Sequence, residues 1–564
     1  MMRARMRLGD FLVAYLQKVG VTHLFGIPGD LVINLFFKFG RRRGLRIVTL
    51  SHEPGIGFAA DGYARATGRL GVVCVTYGAG GHNMVNPVAG SFSERVPILV
   101  VSGGPGEEER KLGQLIHHQA KEIESQLRIY EELTCAARVL DDPRTVAESV
   151  DHVVRTMWRE QRPGYLEIHR DVVERTIEVP AAIRAWDGTL EFARSDERRT
   201  AEAARDTATR FNAARRPVVI AGIETFRYKL TREIVRLVER MGAPCMTTVL
   251  GKGAFPMDHP QYMGVHIGPL SPPPIRRRVD AADLVINLGT LLTDMNLGSR
   301  PPRITRARSI WAVGNNVDVS FHTYAGVGIR DYLRALGRER LRRHQERVRY
   351  ADNLPARPGR AGCAVRVADV LGVLNRFLAG RRGFAVIAES GDMLFAGLDV
   401  RVGRGGAYLA QGYYASMGFG VPGALGAELG TGQRPIVLCG DGAFQMTGCE
   451  IAQAPRYGLR PIVILMNNGG WGIFRPITER QDLLAVPNWP YAELARAWGG
   501  AGFVAETVGE FRDALAAAAA APSFALIETR VDPYDLSPVS KKYIEASARR
   551  AAVAPRLARG GSRR

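Results

Sequence analysis

A chain of 564 residues is too long for one hydrophobic core, and about two to four domains are expected. With 46% hydrophobic and 23% charged residues it has the composition of a soluble globular protein, and no apolar run is long enough to span a bilayer, which argues against a membrane partner. The net charge of +20 comes from arginines spread along the chain among acids, without an aromatic-interleaved basic stripe; this argues against nucleic acid and for an anionic substrate or cofactor.

The N-terminal stretch MMRARMRLGDFLVAYLQ reads as the first helix of the fold, because its apolar patch is short, amphipathic and not followed by a small-residue cleavage site. VTHLF (21–25) reads as a strand, and Pro28-Gly29-Asp30 as the opening of a helix that Asp30 would cap. RIVTL (46–50) is the next strand, with Glu53 starting a glycine-tolerant helix whose dipole favours an acid there. Gly55, Gly57 and Ala60 spell the GxGxxA of a dinucleotide fold, but no ribose-binding acid at a following strand end accompanies them.

Strands follow at VVCVTYG (72–78), PILVVSG (97–103) and YLEIH (165–169). Between them GQLIHHQA (113–120) sets His117 beside His118. On a helix, sequence neighbours point apart, so the two make a poor metal pair. The middle third has PVVIAG (217–222), DLVINLG (283–289) and SIWAVG (309–314); the last third has FAVIAESGD (384–392), PIVLC (435–439), PIVILM (461–466) and FALIETRVDP (524–533). Alternation of such runs with helical-period stretches argues for parallel sheets covered on both faces. Stretches 183–200 and 336–362 lack this rhythm and read as linkers. The expected domains are therefore 1–185, 195–340 and 360–545, followed by a disordered basic tail at 546–564. Six scattered cysteines without a CxxC pair, mostly in apolar contexts, point to reduced, buried thiols and a cytoplasmic protein.

GDGAFQMTGCEIAQAPRYGLRPIVILMNNGG (440–470) carries the strongest chemical signal. Asp441 and Asn468 each follow a strand, and the interval suits a single crossover helix. Parallel strands joined by such a crossover end on the same sheet edge, where open α/β sheets bind ligands. Two hard oxygen ligands there, with Gly440 and Gly442 letting backbone N–H groups approach, suit Mg²⁺ holding a diphosphate.

GDG followed by NN is similar to the diphosphate-and-metal motif of thiamine-diphosphate (ThDP) enzymes. The order of the three α/β units resembles that family's pyrimidine-binding, central and diphosphate-binding domains. The resemblance implies three doubly wound parallel-sheet domains, with Mg²⁺ held by Asp441, Asn468 and the carbonyl of Gly470. AADGYAR (59–65) after Glu53 is the family's pattern, implying that Glu53 hydrogen-bonds N1′ of the aminopyrimidine. GIPGD resembles the GxPGD of 2-oxo acid decarboxylases, implying that Asp30 lies near the reacting carbon. A His-His pair after GGPG (103–106) is the pattern of pyruvate, indolepyruvate and phenylpyruvate decarboxylases, implying proton donation by His117 and His118.

In the last third ESGDMLFAG (389–397) resembles a cofactor-binding loop, implying Ser390 and Asp392 near the diphosphate. YYASMGFGVPGALGAELG (413–430) resembles the segment in which the Ala415 carbonyl would accept from the 4′-amino group and Met417 would wedge between the cofactor's rings. By the same resemblance Ala443 would offer its N–H to phosphate, Ile473 would touch the cofactor, and Trp471 and Phe474 would line the substrate pocket. By the same resemblance, pyruvate decarboxylases and many indolepyruvate decarboxylases carry a Glu where Phe474 stands, and bacterial phenylpyruvate decarboxylases are apolar there. An apolar pocket favours aryl or branched 2-oxo acids over pyruvate. The implied reaction is non-oxidative decarboxylation of phenylpyruvate or indole-3-pyruvate to the aldehyde and CO₂. The implied assembly is a homodimer at minimum, with a homotetramer common. A carboligase giving acyloins, a catalytically silent ThDP-fold protein and a nicotinamide-dependent oxidoreductase are the alternatives.

Overall fold

The structure is a computed structural model, and its described residues are 2–298 and 304–546. Of the basic tail expected at 546–564, residues 547–564 lie outside the described residues. The chain divides into two compact units: Met1–Ala193 with Val421–Gly432 and Thr447–Tyr457, and Arg194–Gly420 with Gln433–Met446 and Gly458–Arg564.

The first unit is built on a six-stranded sheet, ordered Arg46–Val48, His23–Gly26, Gly71–Val75, Ile98–Gly104, Gly164–His169, Ala136–Leu140. Every pairing is parallel. Numbered along the chain, the strand order is 2-1-3-4-6-5. The central strands are apolar runs buried on both faces, as expected when helices cover both sides. Leu12 and Leu16 of the N-terminal helix (Leu8–Lys18) share a core with Val72, Leu99, Val101 and Leu166 of the sheet.

Helix Glu53–Thr67 packs on the chain at 421–432 of the same unit through small residues. A Cβ at Gly62 would lie 2.1 Å from the carbonyl oxygen of Gly423, and one at Gly426 would lie 1.8 Å from that of Ala59. Backbone touches backbone there, so no side chain can be accommodated without parting the two segments.

The second unit holds two sheets. One is seven-stranded, ordered Tyr262–Val265, Cys245–Thr247, Pro217–Ala221, Leu284–Leu288, Ser309–Val313, Asn316–Val319, His322–Ala325. Its first five strands are parallel in the doubly wound order 3-2-1-4-5. The last two run antiparallel, a departure from the all-parallel expectation. The cause is local: Val313 pairs with Asn316 across a two-residue turn, with Gly314 at φ +60°. The other sheet is six-stranded and wholly parallel, ordered Tyr408–Ala410, Phe384–Ala388, Arg434–Gly440, Ile462–Asn467, Ala525–Arg530, Ala501–Ala505. Along the chain this is again 2-1-3-4-6-5, so the outer thirds repeat one topology, and the three doubly wound sheets read from the sequence are present.

Three local expectations need correction. The connection from Asp441 to Asn468 is not one helix but Asp441–Thr447, the 3-10 segment Gly448–Gln453 and Ala454–Tyr457, broken where Glu450 is drawn inward. The helix expected to open at Pro28 spans Ile33–Gly40, capped by no side chain; Gly29 is pressed against Thr76, where a Cβ would lie 2.5 Å away. Finally, all six cysteines are free, but only Cys74, Cys245 and Cys439 are buried, while Cys363 and Cys449 are exposed.

Replacing Gly426 by Ala should overpack the contact with Ala59. The expected cost is about 1–3 kcal/mol, read as a fall of roughly 2–4 °C in the thermal unfolding midpoint per kcal/mol. An unchanged midpoint would mean that these segments separate without penalty.

Candidate active site

In the first unit, strand Arg46–Val48 delivers the chain to Glu53, the first residue of helix Glu53–Thr67. Asn83 Nδ2 donates to Glu53 Oε2 at 3.0 Å, and His52 Nε2 lies 3.8 Å from the same oxygen. Gly80 lies on the side of the other oxygen, where a Cβ would stand 3.6 Å from Oε1. The approach to Glu53 is held by Glu450, whose role sequence reasoning missed. Glu450 is buried, with Oε2 accepting from Ser51 N at 2.8 Å and Oε1 from His52 N at 3.0 Å. Burial pushes its carboxyl upward, and those backbone N–H groups partly offset this. A Cβ at Gly55 would sit 2.3 Å from Glu450 Oε1, which explains the glycine. The only signal was an acid inside an otherwise apolar crossover.

His117 and His118 are not on a helix; they occupy a turn, with His118 at φ +69°. That overturns the expectation that their rings diverge. His117 Nε2 lies 2.5 Å from Asp30 Oδ2, and His118 Nε2 lies 3.7 Å from Asp30 Oδ1. Asp30 therefore does not cap a helix, and Thr76 Oγ1 also donates to it at 3.5 Å. Burial acts upward on the Asp30 carboxyl, but the His117 hydrogen bond and charge hold it below its usual range. Gly78, at φ +62°, makes room for the turn, since a Cβ there would lie 1.9 Å from the His118 carbonyl oxygen. Its N–H donates to buried Gln126, which in turn donates to Ser102 and the Tyr165 hydroxyl.

In the second unit, Ser390, Asp392, Ala415, Met417, Gly440, Asp441, Gly442, Ala443, Asn468, Gly470, Trp471, Ile473 and Phe474 all line one cavity of about 330 Å³. Asp441 ends strand Arg434–Gly440 and begins helix Asp441–Thr447. Its Oδ1 accepts from Gly442 N at 2.8 Å and its Oδ2 from Gly470 N at 3.0 Å. Burial raises this carboxyl, and the N–H groups of Gly442, Gly470, Gly469 and Asn468 oppose that shift. Asn468 Oδ1 also accepts from Gly470 N, at 3.2 Å. Gly470 has φ +153°, and a Cβ there would meet the Leu484 carbonyl oxygen at 2.0 Å.

A buried carboxylate with neutral N–H partners, beside an amide oxygen and a backbone carbonyl, is a hard-oxygen donor set fit for Mg²⁺. Gly442 donates its N–H to Asp441, and its missing Cβ makes room for the Trp471 ring, which a Cβ there would meet at 2.5 Å. Gly440 faces open space. Asp392 lines the cavity but is fixed on Ser537, accepting from its N at 3.1 Å and its Oγ at 2.6 Å. Ser390 Oγ donates to the Ser416 carbonyl at 3.0 Å.

Glu389, also missed, organises the opposite wall. It is fully buried, accepts from Ser390 N at 2.8 Å and Gly420 N at 2.6 Å, and burial lifts its carboxyl to about 7. This anchors the segment carrying Ala415, in the left-handed region at φ +54°, and Met417.

Asp441→Ala should abolish Mg²⁺-dependent retention of ThDP, measured as cofactor remaining after gel filtration; full retention would remove Asp441 from the metal site. Glu450→Ala should slow exchange of the ThDP C2 proton, followed by NMR, while ThDP stays bound. Unchanged exchange would deny Glu450 a positioning role.

Comparison with known proteins agrees with this chemistry. Residues 6–129 match the N-terminal binding domain of thiamine pyrophosphate enzymes, residues 204–329 their central domain, and residues 390–529 their C-terminal binding domain. An indole-3-pyruvate decarboxylase from Azospirillum brasilense is 34% identical over 552 residues, covering 96% of this chain and 99% of that protein. An alpha-keto-acid decarboxylase from Mycobacterium leprae (strain TN) is 29% identical, covering 91% and 90%. Pyruvate decarboxylase isozyme 3 from Saccharomyces cerevisiae (strain ATCC 204508 / S288c) is 28% identical, covering 87% and 88%. With three family domains in order and a decarboxylase likeness running nearly end to end, the chain belongs to the thiamine pyrophosphate enzymes and is a 2-oxo acid decarboxylase dependent on ThDP and a divalent metal.

Proposed function

We propose that the substrate is an aryl 2-oxo acid, phenylpyruvate or indole-3-pyruvate, released as the aldehyde and CO₂. The observation that carries this reading is that Met417, Trp471, Ile473 and Phe474 line the same cavity as Asp441 and Asn468. Phe474 is half exposed on that lining rather than packed in the core, so the position where pyruvate decarboxylases and many indolepyruvate decarboxylases carry a Glu offers an apolar ring here. The likeness to an indole-3-pyruvate decarboxylase supports the same class.

Asp441, Asn468 and the Gly470 carbonyl would hold Mg²⁺ and, through it, the diphosphate, with the Ala443 N–H offered to phosphate. Ala415 and Met417 would set the cofactor's shape. Bound ThDP supplies the electron sink that accepts the pair left when CO₂ departs. Glu53, held by Asn83, would share a proton with the ring nitrogen of bound cofactor. Asp30, hydrogen-bonded to His117 and with His118 3.7 Å away, forms with them one group that would deliver the proton ending as the aldehyde hydrogen. Trp471, Ile473 and Phe474 exclude water and seat the aryl group.

The proposed domains are 1–185 for the pyrimidine, 195–340 as the central domain and 360–545 for the diphosphate. The proposed assembly is a homodimer at minimum, completed as a homotetramer. The free thiols fit a reducing cytoplasm.

Glu53→Gln should abolish decarboxylation with the circular dichroism unchanged; retained turnover would remove Glu53 from its role. Across a panel of 2-oxo acids, phenylpyruvate or indole-3-pyruvate should exceed pyruvate in kcat/KM by about tenfold or more, equal to about 1.4 kcal/mol. A preference for pyruvate would refute the aryl assignment.

A further inference from the structure

The turn at 117–118 produces an arrangement that proton donation alone does not require. Two imidazoles adjacent in sequence face the same carboxylate, one on each oxygen, with ring centroids 4.7 Å apart and planes at 62°. The positive φ of His118 swings its ring to the side of His117, and Gly78 leaves space for that backbone. A ligand atom from each of Asp30, His117 and His118 falls within 4.8 Å of the others. Ligand atoms around a tetrahedral zinc, with bonds of about 2.0–2.2 Å, stand roughly 3.3 Å apart. The His118–Asp30 separation of 3.7 Å is close to that spacing, and the 2.5 Å His117–Asp30 pair must open by less than 1 Å. Side-chain exposures of 57% for His117, 35% for His118 and 48% for Asp30 allow the opening and leave further coordination positions to solvent. Thr76 and the Leu31 N–H hold the carboxylate from behind, as outer-shell partners of metal ligands do.

We propose that Asp30, His117 and His118 form a second cation site, selective for borderline transition-metal dications of the Zn²⁺ and Co²⁺ class, and that filling it halts turnover. Two nitrogens and one carboxylate suit such ions, whereas Mg²⁺ prefers the all-oxygen set at Asp441, Asn468 and Gly470. A metal there occupies both imidazole Nε2 atoms and removes the proton donors. The inhibition rests on the proton-donor reading above; the binding does not.

The test uses holoenzyme loaded with ThDP and excess Mg²⁺. Titration with Co²⁺ should produce the intense visible absorption of cobalt in a low-coordinate nitrogen–oxygen site. That band should persist in the inactive Glu53→Gln variant, whose triad is intact. His118→Ala and Asp30→Asn should weaken Co²⁺ binding by at least the roughly 10–100-fold that an outer-shell loss costs. Zn²⁺ should inhibit the wild type reversibly on chelation, with inhibition unrelieved by more Mg²⁺. A cobalt band unchanged in the His117→Ala/His118→Ala double variant would overturn the site. Inhibition that additional Mg²⁺ reverses would overturn the link to turnover, and a cobalt band without Zn²⁺ inhibition would overturn the proton-donor reading while leaving the site in place.

Discussion

Asp441 places a carboxylate where water is almost excluded, and among the described residues it makes no ion pair. Its hydrogen-bond donors are backbone N–H groups from the helix it begins and from the turn after strand Ile462–Asn467. Neutral donors lower the cost of burying a charge but do not cancel it. Such a group is at its lowest free energy when a cation arrives, and the rest of the site serves that arrival. Asn468 turns its amide oxygen toward the same N–H that Asp441 uses, and the glycines at 469 and 470 let the chain fold back tightly enough for both. The Trp471 ring then closes over Gly442, walling the cavity with an apolar surface. A metal-bound diphosphate held here would thus meet fixed dipoles instead of reorganising water.

The same reasoning separates what the sequence makes legible from what it hides. Strand ends were legible because buried parallel strands are short runs of Val, Ile and Leu stopped by glycine, and GDG and NN both fall at such stops. The positions that line the cavity around Asp441 follow from this, since residues just past parallel strands share one sheet edge. Glu450 and Glu389 were not legible. Each is an acid whose partners are backbone N–H groups, those of distant Ser51 and His52 in one case and of adjacent Ser390 and distant Gly420 in the other, and backbone donors leave no trace in residue type. The histidine turn was misjudged for a related reason. A helix would have splayed the rings, and only the left-handed His118, permitted by a glycine forty residues upstream at Gly78, brings them onto one carboxylate.

The repeated strand order explains why the two ends of the chain carry such similar devices. In both six-stranded sheets the order is 2-1-3-4-6-5, so corresponding strand ends open onto comparable edges. Glu53, Asp392 and Asp441 each stand as the first residue of a helix after a strand, where free N–H groups favour an acid. One structural device is therefore used three times, and what distinguishes the three is the remaining environment.

Asp441 is locked by N–H groups of its own helix and of the Asn468–Gly470 turn, an arrangement suited to a carboxylate that would face a metal. Asp392 is less buried than Asp441, and Ser537 engages it through both N and Oγ, which ties residue 537 to the cavity lining. Glu53 is only partly buried and its side-chain donor is a single amide, Asn83, on one oxygen. The three acids thus share one backbone position and differ in the donors around them: backbone N–H groups at Asp441, a serine at Asp392 and a side-chain amide at Glu53.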